Sequence, residues 1–162
     1  MRARAVLILA SVLLLQACSS GPTVDSICEA LEGAGIHVTY LAAYERRDTG
    51  WWTASATRYE MGLDLANCYN PGISLYEFSS EQEAVRAAQG ELPGGPQGAL
   101  LSWPAQPHCF QNGRLVVMVV IPPAAGNLDA RETAAMEADV GQVLEVLEAQ
   151  MGAEVPIEDW TR

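Results

Sequence analysis

The order of patterns along this chain specifies an α+β domain: a single, mostly antiparallel sheet of about four to five strands, two or three helices packed on it, and a long C-terminal helix. Three observations carry that expectation. Alternating apolar runs bounded by turn residues recur between Ile36 and Ile121, among them the hairpin signal Asn112-Gly113. Helical periodicity follows residues suited to N-capping: Thr23 or Asp25, Ser80, and Asp129. With 162 residues, 49% hydrophobic and 18% charged, the chain can fill one core but not comfortably two.

The first helix places Val24, Ile27, Cys28 and Leu31 at i, i+3, i+4 and i+7, and Gly33 and Gly35 end it. Ile36 to Tyr44 reads as a strand with Ile36, Val38, Tyr40 and Tyr44 on one face. After the loop Arg46-Arg47-Asp48-Thr49-Gly50, a second strand covers Thr57 to Leu65, where Tyr59, Met61, Leu63 and Leu65 alternate with other residues. Asn70-Pro71-Gly72 is a turn, and Ile73 to Phe78 a third strand. Ser80 and Glu83 form a capping-box pattern for a short helix that Gly90 stops.

Gly90 to Gly98 holds four Gly and two Pro and reads as a mobile loop. Leu100 to Trp103 is a candidate short strand. His108–Gln111 and Arg114–Ile121 then flank Asn112-Gly113, and the seven apolar residues from Leu115 call for a strand covered on both faces. Pro122-Pro123 ends it. Asp129 and Glu132 cap the last helix, whose stripe Val140, Val143, Leu144, Leu147 and Met151 closes at Gly152. The Glu residues of that helix form its wet side.

Ahead of these elements stands a different kind of segment. Arg2 and Arg4 precede an apolar run from Val6 to Leu15, the charged and apolar regions of an export signal. The run is too short for a membrane-spanning helix, which needs about 18–20 residues. It ends in Leu15-Gln16-Ala17-Cys18, followed abruptly by polar Ser19-Ser20-Gly21-Pro22. This resembles the lipobox of bacterial lipoproteins. The resemblance implies cleavage after Ala17, a lipid on the Cys18 sulfur and anchorage in a bilayer. Ser19 rather than Asp then points to the outer membrane where a cell has two. The expected division is a signal peptide over 1–17, a lipidated tether over 18–23 and one globular domain over 24–162.

From Ile73 to Ile121 the order Leu75-Tyr76-Glu77-Phe78, Ser80-x-x-Glu83-Ala84, Trp103-Pro104, Pro107-His108 and Gly113-Arg114-Leu115 is similar to small bacterial envelope lipoproteins of uncharacterised function. Those share a strand–helix–hairpin block followed by a C-terminal helix. The resemblance implies architecture and location and supplies no catalytic residue. Here Cys109 stands where an aromatic residue is usual, and Pro122-Pro123 replaces a Gly-acid turn.

Charge narrows the partners. All nine bases are Arg, against 20 acids; residues 18–162 keep seven Arg and all 20 acids, a formal charge of −13. Such a surface cannot neutralise a phosphate backbone, so nucleic acid is excluded. It is also repelled by anionic lipid, so the lipid rather than the protein surface would hold the domain at a membrane. The expected partners are the bilayer, through acylated Cys18, and an envelope protein.

Beyond Cys18 the thiols are Cys28, Cys68 and Cys109. In an oxidising compartment three pairings are open, and Cys28–Cys68 is the expected one, because a helix-to-sheet bridge is easy there; the alternative is three buried thiols. His108 beside Cys109 suggests a thiol-dependent enzyme, but neighbouring strand residues point to opposite faces. With His37 the only other imidazole, material for catalysis or a metal is scarce. No cofactor motif is present. Trp51-Trp52 is the candidate partner or ligand surface, weighed against one core Trp beside one rim Trp. The functional expectation is non-catalytic binding or structural interaction in the envelope. A small-ligand carrier with a pocket between sheet and last helix is the alternative.

Overall fold

The computed structural model describes residues 21–44, 51–52, 55–65, 71–95, 106–121 and 129–157. Its order is α1 (Val24–Gly33), β1 (His37–Tyr44), β2 (Ala56–Asp64), β3 (Gly72–Phe78), α2 (Glu81–Ala88), β4 (Gln106–Asn112), β5 (Leu115–Ile121) and α3 (Ala130–Met151). The five strands form one antiparallel sheet in the order β1-β2-β3-β5-β4. This is the α+β architecture expected, long last helix included. The leader, the loop 45–50, Cys68 with the Asn70 end of its turn, the segment 100–103 and Pro122-Pro123 lie outside the described residues.

Two cores lie on opposite faces of the sheet. On one, Met61, Leu63, Ile73, Leu75, Leu115, Val117, Val119 and Phe110 meet Ile27 and Leu31 of α1 and Val143, Leu147 and Met151 of α3. On the other, Tyr76, Phe78, Val116, Met118 and Cys109 meet Ala84, Ala87 and Ala88 of α2, together with Trp52 and Leu92. β5 therefore contributes alternate residues to both cores, which is why its sequence is apolar without alternation. The small alanines of α2 let that helix lie close to the sheet. The interface where a carrier pocket was expected, between sheet and α3, is occupied by Phe110, Leu115, Val117, Val143 and Leu147, each at most 2% exposed.

The helix ends follow the residues that mark them. Thr23 accepts from Ser26 N while Ser26 Oγ accepts from Thr23 N, a reciprocal box. Asp129 and Glu132 form the same box on α3. At α2 only half of the expected box forms: Ser80 accepts from Glu83 N, while the Glu83 carboxylate accepts from Ser79 Oγ. At the far end of α1, Gly35 takes φ +83°, Gly35 N donates to Glu32 O and Ile36 N to Leu31 O. Those two bonds are a Schellman motif, with Ile36 and Leu31 in one core. The chain is thereby turned directly from α1 into β1.

Two details depart from the sequence reading. Val38 opposes Leu63, but Leu41 opposes Met61, so an irregularity between Val38 and Tyr40 adds one residue to β1. Val38 and Tyr40 consequently face opposite sides, not one. Tyr40 instead lies over Gly62, where a Cβ would collide with Tyr40 Cε1 and stand 2.8 Å from Thr39 Oγ1. In the hairpin, Asn112 pairs with Leu115, so the turn is Gly113-Arg114 rather than Asn112-Gly113. Only Gly113 has positive φ, +54°, as in a II′ turn, and Gln111 Nε2 donates to Gly113 O.

Candidate functional site

The tryptophan pair divides into two different residues. Trp52 is 1% exposed, edge-on to Tyr76 at 4.9 Å and to Phe78 at 6.0 Å. It is a core residue, and the expectation that it lines a partner surface is corrected. Burial of its large indole wins because the turn, which accepts at Trp52 O from Ser55 N and Ala56 N, swings the ring beneath the sheet. Trp52 holds φ +50°, unusual for a bulky side chain. Trp51 is half-buried at the margin of the same core. The following Gly-rich segment is fastened over its described part: Leu92 is buried, and Gly94 O accepts from Trp52 N at 2.8 Å.

His108 and Cys109 are not brought together. Cys109 is fully buried in the core under α2, while His108 lies on the opposite face and its Nδ1 is 3.0 Å from Glu154 Oε1. Burial, with a smaller push from Glu154, raises the Cys109 thiol to about 12. A thiol held neutral and closed from solvent is the reverse of an activated nucleophile. Cys28 is an unbridged, half-buried thiol on α1, also raised by burial first and Asp25 next. Its expected partner Cys68 lies outside the described residues. Among the described residues no three His, Cys, Asp or Glu side chains gather as a metal site.

A polar cluster that the sequence reading missed occupies β1 and β2. Arg58 sits 5.2 Å from the Tyr44 ring centroid and pairs with Glu60, whose second oxygen accepts from Tyr44 Oη at 3.0 Å. The only early sign was alternation, which places Arg58 and Glu60 on one face of β2.

A concave site among the described residues lies where the N-terminal segment joins the domain. Gly21, Pro22, Thr23 and Val24 run beside the β4–β5 turn and the end of β3, leaving a groove of about 400 Å³. Glu77, Glu81, Gly113, Arg114 and Leu115 complete its walls. Arg114 Nη2 is 2.9 Å from Glu77 Oε1, and Phe78 N donates to Arg114 O. A Cβ on Gly21 would lie 3.1 Å from Gly113 Cα, so backbone rests on backbone. The sequence showed Gly113-Arg114 only as part of a hairpin; that residues 21–24 pack there is a tertiary fact. One Arg with two Glu around a groove can receive a ligand of mixed charge.

Compared with protein-family models, curated proteins and solved structures, the chain matches none. Among the described residues no helix is long and apolar enough to cross a membrane.

Proposed function

We propose that this chain is a lipoprotein of the bacterial envelope, held at a membrane surface by acyl chains on Cys18, whose α+β domain acts by binding rather than by chemistry. The observation that carries the reading is the leader: two Arg, an apolar run and Leu15-Gln16-Ala17-Cys18, which ends five positions before the first helix cap at Thr23. Each buried CH₂ of an acyl chain contributes about 0.8 kcal/mol, so two or three chains form a lasting anchor. A protein partner in the same envelope completes the role, and the outer membrane is its place where there are two. The separation of His108 from Cys109 by the thickness of the sheet supports binding over thiol catalysis.

Mass spectrometry of the native protein tests the reading: the mature chain should begin at Cys18 and carry diacylglycerol on its sulfur. Cys18→Ala should move the protein from the membrane fraction to the released fraction. A chain that keeps Met1 with an unmodified Cys18, or a variant that stays membrane-bound, overturns the proposal.

A further inference from the structure

We infer that the end of the domain built from Gly21–Val24, the β4–β5 turn and the β3–α2 corner is the surface that rests on the lipid headgroups. The inference depends on acylation at Cys18 and adds what that reading leaves open, namely which side of the domain meets the bilayer. Three peptide steps separate Cys18 from Gly21, a reach of at most about 11 Å. Gly21 lies in close contact with Gly113, so the lipid-bearing sulfur stays within one such reach of the turn.

The ends of several elements converge here. α1 and α2 begin here, β3 ends here, and Arg114 O receives Phe78 N from it. α3 ends here as well, since Asn112 Nδ2 donates to Gln150 O at 3.3 Å. The 22 residues of α3 then run away from the turn for about 33 Å, at 1.5 Å per residue. The paired ends His37–Asp64 and Gly72–Val120 belong to the opposite pole.

The chemistry of the near end fits zwitterionic headgroups. Arg114, with 58% of its side chain exposed, offers donors to a phosphate, and Glu77 and Glu81 beside it suit an ammonium. The acidic domain gains nothing from anionic lipid, so the contact is enforced by the short leash and shaped by this mixed surface.

The test uses the native acylated chain in phosphatidylcholine vesicles doped with phosphatidylethanolamine carrying a diazirine on its headgroup. After illumination, cross-linked residues are mapped by mass spectrometry, and the intact mass reports acylation separately. Labelling at 77–81 and 113–115 should exceed that at 62–64 and 130–134 by at least about tenfold, as expected for a contact fixed within one leash length. Even labelling, or labelling at the opposite pole, on a chain with acylated Cys18 overturns the orientation and leaves the lipoprotein reading standing. An unmodified Cys18 removes both. A second variant, with ten Gly and Ser residues inserted after Ser20, should lose most of the near-end preference; unchanged preference would refute the leash.

Discussion

At the scale of single residues, Trp51 and Trp52 show what adjacency in sequence hides. One ring fills the space between Tyr76 and Phe78, and its neighbour lies at the rim. Trp52→Ala should therefore cost about 3–5 kcal/mol, the usual range for a fully buried aromatic ring. Trp51→Ala should cost under about 1.5 kcal/mol, within the range for partly exposed sites. Denaturant titration of the purified protein measures both, and equal losses would contradict the assignment. Two adjacent aromatic residues were legible as an unequal pair; which one turns inward was not, because the turn at Trp52 and its bond to Gly94 decide it.

Glu32 gives a second prediction at this scale. Its carboxylate accepts from Val38 N at 2.7 Å and faces His37 Nδ1 at 3.0 Å, and the backbone bond first, then His37, holds its pKa below the usual 4.5. A carboxylate whose folded pKa is depressed stabilises the fold above its unfolded value and loses that contribution as pH falls through the folded one. Glu32→Gln should lower the thermal midpoint at pH 7 and flatten its decline below about pH 4.5. A parallel shift of the whole pH curve would show that the charge is immaterial. The carboxylate is exposed, so the effect is small.

At the scale of elements, patterns with a physical period were readable and breaks in the period were not. The last helix was recognised from Asp129, Glu132 and its stripe, because capping and burial agree. β1 was misphased because His37–Tyr44 carries little polar contrast, so nothing in its order marks an extra residue. The hairpin turn slipped by one because Asn112 is engaged as a strand residue paired with Leu115 and bonded to α3. The irregularity in β1 also explains Tyr40, which is 48% exposed yet covers a buried glycine. Gly62→Ala should displace that ring and cost about 1–3 kcal/mol, as overpacking does. Tyr40→Ala combined with Gly62→Ala should then cost less than the sum of the two, and a double-mutant cycle by thermal unfolding reads the coupling. Strict additivity would refute the contact.

At the scale of the whole molecule, the sheet divides the protein into two unequal halves. α1 and α3 cover one face, while α2, Trp52 and the C-terminal tail cover the other. The tail crosses the β4 edge, where Val155 N donates to Cys109 O at 2.8 Å, and so shields one margin of the sheet. Architecture of this kind was legible because each strand's apolar pattern states how many of its faces are buried. The groove beside Gly21–Val24 was not, since Glu77, Glu81 and Arg114 come from segments that only the sheet register brings together.

The meeting of Gly21 with Gly113 sets a mechanical condition on the entire assembly. Neither residue has a side chain to act as a spacer, so main chain lies against main chain where the N-terminal segment meets the β4–β5 turn. One added methyl group at either position would act as a wedge at about 3 Å. On the proposed acylation of Cys18, the tilt of the domain above the bilayer would change with it.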